Sequence, residues 1–194
     1  MEIGASTKSL NMPYTLSDHR HRFAAWAASR AASVKGCRFK VKQGVAILER
    51  SGFDSDLDCP SKLPEPSNFD SFHKSKRDGV KEKASDLLLP FTDGVAAKLI
   101  NCYLKAKFVC GGHSDDEKVK ALHPPIDDVL LESLIHSEKP HISAHAAKWR
   151  KLRKTRWSKF SSEEYQDAID TIRKSLGHAK PLWTIEEFWK GYQK

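Results

Sequence analysis

Residues 83–108 read K-A-S-D-L-L-L-P-F-T-D-G-V-A-A-K-L-I-N-C-Y-L-K-A-K-F, and this stretch decides the fold class. A Lys- and Glu-rich helix from about Asn68 to Leu88 is broken by Pro90, which has no N–H to donate and crowds the preceding turn. Thr92 or Asp93 then caps a second helix reaching about Val109, because a short oxygen-bearing side chain can take up a free N–H of the first turn. Within it Val95, Leu99, Cys102 and Ala106 recur as one apolar stripe, and Gly111 with Gly112 ends it. The unit is helix, tight turn, helix.

The flanking sequence is helical as well. Residues 1–13 carry little apolar content and are expected to form a flexible leader. Residues 14–194 then form one helical domain, divisible at most into two helical subdomains. A helix over about 18–33 places Phe23, Trp26, Ala27 and Ala31 at helical spacing and is expected to be largely buried. Another runs from about Lys40 to Ser51, ending at Gly52. Three prolines and three aspartates between Phe53 and Phe69 predict an extended surface crossing. Beyond a loop at His113–Lys120, Pro124 and Pro125 introduce a helix over Ile126–Ile135. A basic helix follows around Ala144–Trp157. The S-x-x-E pair Ser161 and Glu164 boxes the start of a helix over Glu163–Leu176, and an aromatic helix closes the chain from Pro181 to Tyr192. No stretch shows the period of two that a strand requires, so the protein is expected to be all-α.

The chain has 194 residues, with 33 Lys plus Arg against 25 Asp plus Glu, a formal charge of +8, and 39% hydrophobic residues. That apolar content argues against disorder of the whole chain. The positive excess favours an anionic partner, because Lys and Arg displace the counterions condensed on a phosphate backbone. No run approaches the ~18 apolar residues of a membrane span, and no apolar signal segment precedes Leu16. A cytoplasmic monomer without a membrane partner is therefore expected, associated with the nucleoid if the protein is bacterial. Cys37, Cys59, Cys102 and Cys110 form no C-x-x-C pair and are expected to be reduced. His141 and His145, four apart, lack an accompanying acidic or cysteine ligand, so neither a metal nor another cofactor is expected.

The hairpin, together with P-P-I-D-D-V-L-L at residues 124–131, resembles the helix-hairpin-helix DNA glycosylase superfamily, the endonuclease III and 8-oxoguanine glycosylase group. In that group the hairpin carries a GVGxKxAN-like signature, and a proline/apolar-Asp element follows at the mouth of the active-site cleft. Gly94, Val95, Lys98 and Asn101 match the signature, and Ile126 with Asp127 matches the later element. The match covers about a quarter of the chain. Ala96 stands where the signature has its second glycine, and no four-cysteine cluster follows. The resemblance implies a helix-hairpin-helix glycosylase-like helical fold with a central cleft. It further implies Lys98 as catalytic lysine, Asp127 as catalytic aspartate, and the Gly94, Val95 and Ala96 backbone against a phosphate of double-stranded DNA. The implied activity is excision of a damaged or modified base, with AP-lyase chemistry in addition.

The residue types suit that chemistry. Glycosidic cleavage builds positive charge on the sugar, which a carboxylate stabilises best where water is excluded. A lysine that loses its proton can attack C1′ and form a Schiff base. The plainer reading is an amphipathic surface helix carrying Lys98, with Asp127 serving only as a helix cap.

The stretch K-W-R-K-L-R-K-T-R-W-S-K-F at residues 148–160 interleaves basic and aromatic side chains. Arg150, Arg153 and Arg156 are expected to bind DNA phosphates, whereas Trp149 and Trp157 are expected to anchor the helix to the core. Trp183 and Trp189 are candidates to stack on an extruded base. Two other functions fit the sequence: a non-enzymatic helical DNA-binding module, and a helical protein whose positive surface meets an acidic partner.

Overall fold

A computed structural model describes residues 13–177 and 180–193. The expected leader lies almost wholly outside the described residues. Helix α1 (Leu16–Ala32) begins with a reciprocal cap in which Thr15 Oγ1 accepts from Asp18 N and the Asp18 carboxylate accepts from Thr15 N. Its buried face is made of Ala24, Ala25, Ala28, Ser29 and Ala32, while Phe23 and Trp26 are 57% and 51% exposed. The expectation of a buried stripe at Phe23, Trp26, Ala27 and Ala31 is thus corrected: the inward face is the small-residue one, joined by His21, whose ring bonds Tyr103 Oη at 3.0 Å. Helix α2 (Val41–Arg50) crosses at this stripe, where a Cβ on Gly44 would lie 2.3 Å from Ser29 Oγ.

The hairpin is formed by α3 (Phe69–Ser85) and α4 (Asp93–Leu104). Arg77 Nε bonds Asp93 Oδ1 at 3.0 Å and His73 Nε2 bonds Asn101 Oδ1 at 2.7 Å, so α3 and α4 run antiparallel. Helix α3 stops three residues before the expected Leu88. Leu89 N closes back onto Ala84 O at 3.0 Å, with Leu88 left-handed at φ +56° and almost fully exposed. Thr92 caps α4 by accepting from Val95 N at 3.1 Å. Helix α4 then widens into a π-type segment over Lys105–His113, with Gly112 at φ +89°.

Helix α5 (Glu117–Lys120) is one turn long. Helix α6 (Asp128–Ile135) starts later than Pro124 and Pro125 predict, because Asp127 Oδ1 accepts from Leu130 N and makes a stronger start than a proline at the first position. Helices α7 (Pro140–Ser143), α8 (Ala146–Thr155) and α9 (Ser162–Leu176) follow, the last with the expected Ser161/Glu164 box. The chain ends in 3₁₀ turns over Leu182–Phe188 and Gly191–Gln193 instead of an aromatic α-helix. Among the described residues the one β-like feature is the Val34–Cys37 bridge, and the protein is all-α.

Two apolar clusters build the interior, and α4 feeds both. Ala96, Leu99, Ile100 and Tyr103 pack with α1, α2 and α3. Val95 and Ala97 pack with Leu130, Leu134, Trp149, Ile169 and Ile185. A helix embedded on all sides in this way is no surface helix, and any polar side chain on it must find a partner inside the protein. No described helix is long and apolar enough to cross a membrane.

Candidate active site around Lys98 and Asp127

Lys98 lies in the second turn of α4 and is only 6% exposed. Its Nζ donates to Asp127 Oδ2 at 2.9 Å and sits 5.5 Å from the centre of the Trp157 ring. The two residues that the motif singles out are therefore in direct contact. Asp127 also caps α6, as the plainer reading has it, using its other oxygen. A further donor reaches the shared oxygen: Trp189 Nε1 bonds Asp127 Oδ2 at 3.0 Å. Burial by itself raises the Asp127 carboxyl. The Lys98 charge, its hydrogen bond, Leu130 N–H and Trp189 N–H outweigh that effect and hold it below its ordinary value. Lys98 is buried and Asp127 partly so, and removing either member leaves a poorly compensated charge, at a cost below the ~3–5 kcal/mol of a fully buried pair.

The approach of the two residues depends on an irregular crossing from α5 to α6. His123, Pro124, Pro125 and Ile126 are all buried, yet residues 123–126 make no backbone–backbone hydrogen bond. Side chains hold them instead. Asn101 Nδ2 donates to Pro124 O at 2.9 Å and to Tyr165 Oη at 3.0 Å. The His123 ring lies between Tyr165 Oη at 3.0 Å and Asp70 Oδ1 at 2.9 Å. Arg173 and Gln166 of α9 also bind the Asp70 carboxylate. At the start of α4, Asp93 is bound by Arg77 and Lys81, which fixes that helix end against α3.

The turn does not present its backbone to solvent. Gly94 N donates to Phe160 O at 3.3 Å, Val95 N to Thr92 Oγ1, and Ala96 N to Thr92 O. A Cβ on Gly94 would lie 1.7 Å from Trp157 O. Gly94, Val95 and Ala96 thus have their N–H groups occupied inside the chain. In this conformation Phe160 O, in the 157–160 segment, and Thr92 stand where the resemblance implies a phosphate acceptor.

Arg150, Arg153 and Arg156 do come together, lining an open concavity of about 610 Å³ with Lys35, Lys154 and Trp157. Asp128 also lines it, so the concavity adjoins both the residue after Asp127 and the ring beside Lys98. Arg153 is paired with Glu132 at 2.8 Å, whereas among the described residues no carboxylate pairs with Arg150 or Arg156. Arg156 holds φ +70°, a backbone state costing a non-glycine residue about 1–3 kcal/mol. Trp149 and Trp157 are buried core anchors, as expected.

Trp189 touches the pair directly, while Trp183 lines a separate, largely apolar cavity of about 410 Å³ with Lys105, Val109, Thr184, Glu186 and Glu187. Glu186 is bound by Lys105, and burial pushes its carboxyl up. Neither Glu186 nor the ring of Trp157 over Lys98 was legible in the sequence as part of this site, and no local pattern marks them. Among the described residues, no group of three or more His, Cys, Asp or Glu side chains is arranged to hold a metal ion.

No protein-family model, curated protein or solved structure matches the chain.

Proposed function

We propose that the protein is a DNA N-glycosylase with lyase activity, acting through Lys98 and Asp127. The observation that carries this reading is the 2.9 Å contact between buried Lys98 and partly buried Asp127, which belong to the two sequence elements resembling the glycosylase motif. Asp127 stabilises the positive charge that develops on the sugar as the base departs, in a setting where little water screens it. Lys98 attacks C1′ after losing a proton. The bond from C1′ to the base breaks with its electron pair on the base, which takes up the proton. The attached amine then gives up a second proton, the C1′–O4′ bond of the sugar ring breaks with its electron pair on O4′, which takes up that proton, and Nζ forms the C1′=Nζ double bond of a Schiff base. Loss of a C2′ proton then expels the 3′ phosphate by β-elimination. Asp127 is the nearest acceptor for the proton Lys98 gives up.

The basic concavity supplies phosphate contacts beside the pair, with Lys35, Arg150, Lys154 and Arg156 paired to no carboxylate among the described residues. Entry of a sugar requires the Trp189 indole to leave Asp127, so the C-terminal segment acts as a cover over the site. A panel of duplexes carrying single modified bases, assayed for base release and strand nicking, tests the reading. Release from at least one duplex is expected, and none from any contradicts it. A second reading, a DNA-binding module without catalysis, is favoured by the closure of Lys98, Asp127 and Trp189 on one another as a self-satisfied cluster. Salt-sensitive duplex binding without base release selects it. Binding to neither, with capture of acidic protein, selects the partner-binding alternative.

A further inference from the structure

A single directed chain of hydrogen bonds runs beneath the pair, and its direction follows from which atoms can only donate or only accept. Arg77 Nη1 must donate to His73 Nδ1 at 2.8 Å, so the neutral His73 ring carries its proton on Nε2 and donates to Asn101 Oδ1. With that oxygen accepting, Asn101 Nδ2 supplies both remaining bonds, to Pro124 O and Tyr165 Oη. At the far end the Asp70 carboxylate only accepts, so His123 carries its proton on Nε2 and accepts on Nδ1 from the Tyr165 hydroxyl. The order is Arg77, His73, Asn101, Tyr165, His123, Asp70. Each polar side-chain atom of the ring pair and of Asn101 is satisfied once the chain points this way.

Asn101 is the one member that also grips the crossing backbone. Pro124 and Pro125 have no N–H, and the buried residues 123–126 have no backbone bond of their own, so the carbonyl of Pro124 depends on Asn101. Asn101 lies one helical turn beyond Lys98 on α4, and Pro124 lies three residues before Asp127. The path Lys98, Asn101, Pro124, Asp127 and back to Lys98 therefore closes a small ring in which only the Asn101–Pro124 and Lys98–Asp127 links are non-covalent. Breaking the first frees the second to open.

We propose that Asn101 is a positioning residue, which sets Asp127 against Lys98 by holding the Pro124 carbonyl, and that the chain through His73, Tyr165 and His123 fixes the orientation of its amide. Its effect on catalysis rests on the glycosylase reading. Its effect on the pair does not, and the experiment reads the pair without DNA.

The test is NMR titration of the Asp127 carboxyl carbon in the wild-type protein, Asn101→Ala and Tyr165→Phe, with imidazole ¹⁵N shifts recorded for His73 and His123. In wild type both rings are expected as the neutral Nε2–H form, and Asp127 titrates below the ordinary carboxylate range. In Asn101→Ala, Asp127 is expected to move up by about one pH unit as Lys98 withdraws, with helical content retained. In Tyr165→Phe the amide loses one acceptor, and a smaller shift in the same direction is expected. This variant leaves α4 untouched and decides the matter if Asn101→Ala does not fold. An Asp127 midpoint unchanged in a folded Asn101→Ala, or in Tyr165→Phe when only that variant folds, overturns the proposal. So does an Nδ1–H tautomer at either histidine. Base release that is absent from wild type while these shifts appear removes the glycosylase reading and leaves the positioning role standing.

Discussion

Trp189 donates its indole N–H to the same oxygen of Asp127 that receives Lys98, so the C-terminal turn and the lysine share one acceptor. A carboxylate oxygen with two such donors has little capacity for a third, and the indole must move before a substrate group can reach it. Trp189→Phe keeps most of the ring and removes the donor. The Asp127 titration midpoint is expected to rise, and stability to fall by about 1.5–3 kcal/mol, the usual worth of a hydrogen bond to a charged group. NMR titration and urea unfolding measure the two, and an unmoved midpoint shows that the indole contributes nothing to the carboxylate.

Gly94 owes its place to packing against a backbone carbonyl. Gly94→Ala puts a methyl 1.7 Å from Trp157 O, where no side chain can rotate away, and the turn must separate from the 157–160 segment. A loss of about 3 kcal/mol is expected in denaturant unfolding. Gly79→Ala, in the interior of α3 with open space at its Cβ position, is the control and should gain about 0.5–1 kcal/mol. Equal effects at the two sites would contradict the packing account.

Much of the fold was legible because its signals are local. Thr92, Ser161 and Glu164 act as caps where they are expected, whereas Pro90 lies five residues past the end of α3 at Ser85. The misread face of α1 has a physical cause: Phe23 and Trp26 carry more apolar surface than Ala24 and Ala28, but where α2 crosses closely only small side chains, Ala and Ser29, fit. At the site, a resemblance between two short sequence elements singled out Lys98 and Asp127, and the structure brings these two side chains into contact. The Lys98 amine over the Trp157 ring, and the His73 and Tyr165 bonds to Asn101, arise from segments brought together only by tertiary packing. Nothing near His73 or Tyr165 in the sequence marks these bonds.

Acid should loosen the chain before it protonates ordinary carboxylates. Burial is the main cause that pushes His73 well down, with His123 and Arg77 adding to it against Asn101 and Asp70. His123 is lowered by burial, opposed by Asp70 and assisted by Arg173 and Arg77. Tyr165 and Asn101 complete the groups facing these rings, and burial keeps the Tyr165 phenol protonated. Unfolded histidines take up protons near pH 6.5 and the folded ones only at lower pH, so this stability is complete above about 6.5. It is expected to fall as pH drops from 6.5 towards 5, by up to about 1.4 kcal/mol per pH unit for each histidine. Urea unfolding across that range measures it, and His73→Gln should flatten the slope. A wild-type profile already flat there would contradict neutral, buried rings.

The three arginines of the concavity should not contribute equally to DNA binding. Among the described residues Arg150 and Arg156 pair with no carboxylate, whereas Arg153 must first leave Glu132. Arg150→Ala and Arg156→Ala together are expected to weaken duplex binding regardless of sequence and to lower the salt slope by about two. Arg153→Ala should have the smaller effect. Fluorescence anisotropy over a salt series separates these outcomes, and an unchanged slope in the double variant removes the concavity from the interface.

The central claim, that Lys98 is the nucleophile of a glycosylase, is tested most directly by borohydride trapping on a duplex with one abasic site. Lys98→Gln keeps much of the side-chain length and removes the amine, while Asp127→Asn keeps the shape of the carboxylate and removes its charge. Wild type is expected to form a covalent protein–DNA adduct, Lys98→Gln to form none while binding DNA nearly as well, and Asp127→Asn to retain some adduct because the base has already departed. An adduct of wild-type yield in folded Lys98→Gln, or none in wild type under conditions where it binds the duplex, would contradict the claim.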